Sequence, residues 1–379
     1  MKPAMIGVIL VVGCLCALAA HTAQTPATTA PLGLPPVPIP EHNPMTRDKV
    51  ALGEKLFNDK RFSSTGEVSC ATCHDAEKAF TDGPLSVSEG INKLTGTRNA
   101  PTVVNAAYFN TMFWDGRSPS LEDQSLHPFL NPVEMGLPSH QPILDIVRSD
   151  PEYVDAFKKV FAKTGDGVTM TEVTRAIAAF ERTQVAADSP FDRWFYGGEA
   201  DALDVSQKRG YELFVGEGRC VSCHLIEQTQ ALFTDNRFHN IGVGINQIQD
   251  DVPKLAREFL QADYTKTQVD IKVLTDKRTS EIGRFVVTSG FDDLGSFKTP
   301  TLRNIAVTAP YMHDGSIETL REVVVHYNNG GVTNEGDPVN DFLSGGIRPL
   351  DLADTEIDDL VAFMEALTSP QFADQAKKQ

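Results

Sequence analysis

The sequence predicts a mainly α-helical protein that consists of two related halves with long loops. Six segments repeat apolar residues at the spacing of amphipathic helices, whereas the alternation typical of strands is sparse. These segments are 46–57, 143–162, 171–184, 205–215, 317–327 and 355–367. With 379 residues and a hydrophobic content of 41%, the chain can bury one or two substantial cores.

An internal duplication supports the division into two halves. The repeat appears when Trp114 is aligned with His313. It matches Pro101-Thr102 with Pro300-Thr301, Asn105 with Asn304, Asp115-Gly116 with Asp314-Gly315, and segment 52–57 with segment 209–214. Repetition of this kind predicts two similar domains, one at 41–200 and the other at 201–379.

The first 20 residues have the features of an export signal. Lys2 supplies the positive end, 6–18 the apolar stretch, and Ala17 to Ala19 the small residues of a cleavage site. The apolar stretch is too short to predict a membrane span, so we expect a periplasmic mature protein without one. A lipid anchor at Cys14 is the alternative. Residues 21–40 are rich in proline and predict an extended linker.

Each half contains one Cys-x-x-Cys-His motif. The residues are Cys70, Cys73 and His74 in the first half, and Cys220, Cys223 and His224 in the second. In such a motif the thiols attach a haem through thioether bonds and the histidine ligates its iron. A zinc site would need further Cys or His ligands at finger-like spacing, which neither motif has. A redox dithiol would need a βαβ context, and it would not have a fixed histidine after the second cysteine. The sequence therefore predicts two covalently bound haem c groups in two cytochrome c-like domains.

The cysteine count and the net charge limit the remaining possibilities. Of 6 cysteines, Cys14 and Cys16 fall in the signal and the others belong to the haem motifs, which leaves no thiol for a disulfide. The formal charge of −17 argues against a nucleic-acid partner and against adsorption to anionic lipid. The acidity either keeps an exported protein soluble or steers it towards a basic partner. Segment 225–297 predicts a long, irregular insertion that covers the second haem.

The second axial position of each iron decides between electron transfer and catalysis. In the duplication, the helix that follows Asp314-Gly315 places Tyr327 where the first half has Pro128. Proline has no donor side chain, so the same position predicts a ligated iron in the second half and an open iron in the first. Tyr327 could also be an ordinary packed tyrosine. His326, Met312 and His313 are rival ligands.

Candidate catalytic residues lie after the first haem motif. The loop 75–97 contains neither His nor Met, so no obvious side chain closes the first iron. Glu134 is a candidate base that moves the peroxide proton from one oxygen to the other, and Gln124 is a candidate for orienting peroxide or water. The alternative is that Glu134 is a surface acid, one of 51 acidic residues.

Trp114 is one of only 2 tryptophans in the chain. The duplication places it at the junction of the two domains, opposite His313. An indole at this position can carry an electron hole between two haems. The alternative is a packing role, because tryptophans in interfaces usually contribute buried apolar surface. We expect Trp194, the other tryptophan, to lie in a core.

Over residues 44–367 the chain resembles the bacterial di-haem cytochrome c peroxidase family. The matching segments are both haem motifs, 98–102, 113–117, 134–135, 298–304 and 309–315. The resemblance implies a first haem that reacts with hydrogen peroxide, served by Gln124 and Glu134, and electron exchange past Trp114. It also implies a calcium ion between the haems. The matching calcium ligands are the Asn99 side chain and the backbone carbonyls of Thr308 and Pro310.

Two departures from the family pattern indicate its MauG branch. Typical peroxidases close the resting first haem with a histidine, whose place is taken here by about Glu89. They ligate the second iron with methionine, and the matching residue here is Tyr327. Enzymes of the MauG branch store two oxidising equivalents from peroxide over both haems and oxidise residues, notably tryptophan, of a partner protein.

Three functions therefore compete. The leading hypothesis is a periplasmic di-haem enzyme that uses peroxide to oxidise a partner protein, in the manner of MauG and of its relatives in methanobactin operons. The second is a peroxidase that takes electrons from a small cytochrome or cupredoxin. The third is an electron-transfer protein in which both irons are fully ligated.

Overall fold

The computed structural model describes residues 30–332 and 336–377, so the predicted export signal at 1–20 lies outside the described residues. The helices of the first half are α1 (Arg47–Asn58), α2 (Cys70–Cys73), α3 (Leu121–Gln124), α4 (His127–Leu130), α5 (Gln141–Ser149), α6 (Pro151–Phe161), α7 (Met170–Glu181) and α8 (Pro190–Phe195). Those of the second half are α9 (Val205–Val215), α10 (Val252–Ala262), α11 (Lys266–Thr275), α12 (Lys277–Glu281), α13 (Phe285–Thr288), α14 (Leu320–Asn328), α15 (Asp354–Glu365) and α16 (Ala373–Ala376).

Strands are nearly absent from the described residues. β1 (Phe238–His239) and β2 (Phe297–Lys298) pair antiparallel, with Phe238 opposite Lys298. The mainly α-helical class with long loops is confirmed.

The first hydrophobic core is built where α1 crosses α7. Thr46 begins α1 by accepting a hydrogen bond from the backbone nitrogen of Lys49. The helices approach closely at Gly53, because a β-carbon there would lie 1.9 Å from the backbone oxygen of Ala176. Only glycine fits such a backbone contact.

The second core repeats this crossing with α9 and α15. A β-carbon at Gly210 would lie 1.9 Å from the backbone oxygen of Asp359, as at Gly53 in the first half. Phe57 and Phe214 occupy matching places, because their ring centroids lie 6.4 Å from His74 and 6.5 Å from His224. The duplicated sequence therefore forms duplicated packing around the two haem motifs.

Most predicted helices are observed within a few residues of their expected bounds. The segment predicted as one helix at 143–162 is instead two helices, α5 and α6. Pro151 begins α6, and the Asp150 side chain accepts a hydrogen bond from the backbone nitrogen of Glu152. A proline preceded by a capping residue starts a new helix, which explains the break.

The prediction that segment 225–297 is irregular is wrong. It contains α10 to α13, which bury an apolar cluster of their own that includes Val252, Val273 and Phe285. This helical insertion packs on the first half as well as on the second haem site. Thr97 donates its hydroxyl to the backbone oxygen of Val273 at 2.6 Å.

The proline-rich segment that precedes α1 is packed along its described part. Leu34 is buried, and the guanidinium of Arg303 donates to the backbone oxygen of Gly33 at 2.7 Å. Leu34 therefore contributes to the interior, whereas Leu32 and Ile39 are exposed. Among the described residues, the helices are all too short or too polar to cross a bilayer.

Candidate di-haem site

The histidines of the two haem motifs are held in the same way. His74 donates its Nδ1 proton to the backbone oxygen of Phe80 at 3.2 Å, and His224 donates to that of Phe233 at 2.9 Å. Both phenylalanines have left-handed backbone, with φ of 58° and 51°. Because Nδ1 carries the proton, Nε2 of each imidazole is the nitrogen that can ligate iron.

The cysteines of these motifs fit haem attachment better than redox chemistry. Burial raises the pKa of the Cys73 thiol and that of the Cys220 thiol to about 12. Burial also lowers the pKa of both motif histidines, which favours the neutral imidazole that binds iron. Thiols of this kind are poor nucleophiles, whereas thioether formation with a haem needs no exposed thiolate.

A cavity of about 640 Å³ lies at the second haem motif. Its lining combines Cys220, Cys223 and His224 with Tyr327 from α14. Tyr327 is thus brought into the same cavity as the motif histidine. Met312, one of the rival ligands, lines this cavity too.

The histidine rivals of Tyr327 make other contacts. His326 Nε2 lies 2.9 Å from the backbone oxygen of Ile241. His313 Nε2 lies 2.7 Å from Glu281 Oε2, and its ring stacks on Phe297 with centroids 3.7 Å apart. Burial raises the pKa of Tyr327. A ferric iron opposite His224 is the positive charge that would favour its phenolate form.

Glu134 faces the first haem motif. Burial raises the pKa of its carboxyl to about 8, and the charge of Asp270 adds to this effect. In turn, the charge of Glu134 adds to burial in raising the pKa of Cys73. The Glu134 segment also contacts the loop after the motif, because its backbone oxygen accepts from the nitrogen of Ile91 at 2.8 Å. Glu134 is therefore a half-buried carboxyl whose raised pKa would allow proton exchange near neutral pH.

A charged network that the sequence did not predict lies beside Glu134. Arg117 Nε donates to Asp270 Oδ1 at 2.9 Å, and its Nη1 donates to Asp115 Oδ2 at 3.0 Å. His127 Nδ1 lies 3.3 Å from Asp270 Oδ1, and its Nε2 lies 3.5 Å from Asp123 Oδ2. Because both ring nitrogens of His127 face carboxylates, this histidine belongs to the charged network and is not available as an iron ligand. Arg117 belongs to a matching family segment, but no sequence signal distinguished Asp270.

The other predicted residues of the first site are placed as follows. Pro128 lies in the first turn of α4, and its backbone oxygen accepts from the nitrogen of Met135 at 3.2 Å. The turn that carries Pro128 is thereby joined to the segment of Glu134. Gln124 ends α3 with a half-buried side chain, and no hydrogen bond joins that side chain to Glu134 among the described residues. Glu89 is exposed.

Trp114 lies at the junction of the two halves, because its backbone oxygen accepts from the backbone nitrogen of Lys298 at 2.7 Å. Its indole nitrogen donates to the backbone oxygen of Asn99 at 2.9 Å, and both residues line the cavity that contains Tyr327. Trp194 instead packs in the second core, 5.1 Å between ring centroids from Tyr211. Trp114 is therefore the tryptophan whose position suits electron exchange.

The residues matched to calcium ligands also meet in this cavity. Asn99, Thr308 and Pro310 all line it. Asn99 donates its amide nitrogen to the backbone oxygen of Ser86 at 3.1 Å, which leaves Oδ1 as the atom that a cation would use. Amide and carbonyl oxygens are ligands that calcium prefers, so the donor set fits this ion.

The duplicated helical fold and the paired motifs define a di-haem c-type cytochrome, and comparisons with known proteins agree. The family model for di-haem cytochrome c peroxidases matches residues 47–200. Cytochrome-c peroxidase IdrP1 of Denitromonas iodatirespirans is 39% identical over 97% of this chain and 94% of its own length. Methylamine utilization protein MauG of Methylorubrum extorquens is 35% identical over 87% of this chain and 81% of its own.

A solved structure supports the same assignment. A MauG-like protein associated with microbial copper homeostasis superposes with a TM-score of 0.72 and 32% identity, covering 90% of this chain and 95% of its own. The chain belongs to the di-haem cytochrome c peroxidase family. Its relatives include both peroxidases and MauG proteins, so the family name leaves the substrate open.

Proposed function

We propose that this protein is a periplasmic enzyme of MauG type, which uses hydrogen peroxide to oxidise tryptophan residues of a partner protein. The observation that carries the proposal is the position of Tyr327 in one cavity with Cys220, Cys223 and His224. A tyrosine ligand favours oxidised iron, whereas the methionine of an electron-carrying cytochrome favours reduced iron. When bound, the two haems supply the redox chemistry that takes two electrons from the partner and reduces peroxide to two waters.

The residues of the first site prepare peroxide for cleavage. Glu134 would take a proton from one peroxide oxygen and return it to the other, which would then leave as water. Its pKa of about 8 suits a group that must both accept and donate a proton near neutral pH. Pro128 offers no side-chain ligand at the position that corresponds to Tyr327, and Gln124 orients peroxide or water.

The residues at the junction connect the two sites. Trp114 would lie on the path of electrons between bound haems, and Asn99, Thr308 and Pro310 would hold a calcium ion at the junction. The partner protein need not enter the first site, because its electrons would travel to the haems over a distance.

A peroxidase that takes electrons from a small cytochrome or cupredoxin is the second candidate. The observation in its favour is the 39% identity with cytochrome-c peroxidase IdrP1, which extends over 97% of this chain. The two candidates differ in their need for Tyr327, because a peroxidase only passes electrons through its second haem.

The substitution Tyr327→Phe tests the proposal. In the wild-type protein, peroxide is expected to change the absorbance of both haems, and the resting EPR spectrum should contain one high-spin and one low-spin ferric signal. In Tyr327→Phe, we expect the first haem to react with peroxide while the second no longer shares the oxidation. Oxygen added to tryptophan of co-expressed periplasmic proteins, measured by mass spectrometry, should disappear as well.

The control is Tyr211→Phe, which removes the same hydroxyl in the second core but outside the cavity. It should leave both absorbance changes intact. Two low-spin signals in the resting protein would contradict catalysis at an open iron. Steady peroxide turnover with a reduced small cytochrome, retained in Tyr327→Phe, would favour the second candidate.

A further inference from the structure

The helical insertion contributes one side chain to the surroundings of the first haem motif. Asp270 lies on α11 and is only 3% exposed. Its carboxylate accepts from Arg117 Nε at 2.9 Å and from Asn131 Nδ2 at 3.3 Å, and lies 3.3 Å from His127 Nδ1. All three partners belong to the first half of the chain. A residue of the second half thus completes a network in the first.

This network holds Asp270 in its charged form. Burial opposes ionisation, but the hydrogen bonds and charges of His127 and Arg117 lower the pKa of Asp270 to about 2. Asp270 in turn raises the pKa of His127, although burial acts in the opposite direction. At neutral pH the network therefore places the charged pair of Asp270 and Arg117 beside Glu134, and it favours the protonated form of His127.

We propose that Asp270 is a positioning residue for the first haem site: it fixes Arg117 and His127 beside Glu134 and sets the charge that this carboxyl experiences during proton transfer. The inference rests on the proposed role of Glu134. Asp270 itself touches neither haem motif in the contacts described above, so it acts through Glu134. The charged groups around Glu134 come from four elements: Asp115 and Arg117 from the loop before α3, Asp123 from α3, His127 from α4 and Asp270 from α11.

The substitution Asp270→Asn removes the charge and nearly preserves the shape. The rate of the peroxide reaction should rise with pH as Glu134 ionises, with a midpoint near 8 in the wild-type protein. Without Asp270, Glu134 loses the anion whose charge raises its pKa, while the cation of Arg117, which lowers that pKa, remains. We expect the midpoint to fall by about one pH unit. At pH 7, the ionised fraction then rises from about one tenth to about one half, so the rate should increase about five-fold.

The measurement is single-turnover mixing of the di-haem protein with hydrogen peroxide, followed by haem absorbance from pH 6 to 10. The matched control is Asp263→Asn, which makes the same change at an exposed residue that follows α10 in the same insertion. Its midpoint should equal that of the wild-type protein. An unchanged midpoint in Asp270→Asn, with full haem content, would overturn the inference.

Two further variants separate this inference from the proposed function. If Asp270 acts through Glu134, Glu134→Gln/Asp270→Asn should react at the rate of Glu134→Gln alone; a further change in rate contradicts the inference. A wild-type rate in Glu134→Gln contradicts the role of Glu134 itself. Should Asp270→Asn fail to assemble, His127→Gln keeps a hydrogen-bond donor but removes a positive charge. It should move the midpoint upward, and no movement would overturn the inference.

Discussion

The two haem motifs share one scaffold but differ in the side chains that surround them. In each half, a helix crossing at a glycine supports a motif whose histidine donates Nδ1 to a phenylalanine carbonyl. On the opposite side, the first site has Glu134 within a charged network, whereas the second has Tyr327 in a cavity. The duplication therefore preserved the haem motifs and changed the side chains that lie near them.

This difference separates two tasks within one chain. A half-buried carboxyl near the first motif can move protons, which peroxide cleavage requires. A phenol near the second motif would instead stabilise oxidised iron. Substitution of a residue that differs between the sites should thus change the reactivity of one haem alone. Matching substitutions in the shared scaffold should lower stability by similar amounts in the two halves.

The largest expected effect is that of Glu134→Gln. Glutamine fills the same space but cannot accept the peroxide proton, so the reaction at the first haem should slow by about 10² to 10³-fold at pH 9. Rapid mixing with peroxide measures this rate. Glu89→Gln is the matched control, because Glu89 is exposed on the loop that follows the same motif. A rate in Glu134→Gln within two-fold of the wild type, as a rough threshold, would remove the assigned role.

The shared scaffold is tested by Gly53→Ala and Gly210→Ala. Each new methyl group would lie 1.9 Å from a backbone oxygen of the crossing helix, so the helices must separate. We expect each variant to lower the free energy of unfolding by about 2–3 kcal/mol, measured by urea denaturation. Gly167→Ala should lower the free energy of unfolding much less, because its methyl group would contact only Lys163, at 4.0 Å. A large difference between the two glycines would show that the halves are not equivalent scaffolds.

The smallest expected effect is that of Trp114→Phe. Phenylalanine keeps an aromatic ring at the junction but loses the hydrogen bond to Asn99 and is harder to oxidise. The first haem should react with peroxide at the wild-type rate, while the absorbance change of the second haem follows about ten-fold more slowly. Trp194→Phe in the second core provides the control. Simultaneous changes of both haems in Trp114→Phe would assign Trp114 to packing alone.

Much of this molecule could be predicted from local patterns. The helices follow the periodicity of apolar residues, and α9 begins and ends at the predicted residues. The haem attachment sites follow from a motif of five consecutive residues, because that chemistry requires little more than the motif itself. The break between α5 and α6 was predictable in principle from Asp150 and Pro151, and only the periodicity obscured it.

Contacts between distant segments could not be predicted in this way. The insertion appeared irregular, yet its helices form an apolar cluster and place Asp270 beside Arg117 and His127. One aspartate among 51 acidic residues has no local signature, because its role depends on partners more than a hundred residues away.

By itself, the sequence determined the helical class, the duplication, both haem attachment sites and the candidates Glu134 and Tyr327. These features depend on the order of neighbouring residues or on the comparison of one half with the other. Only the tertiary structure decided which charges surround Glu134 and which side chains share a cavity with Tyr327. Burial and electrostatic interaction depend on distances through space, and folding alone brings those groups together.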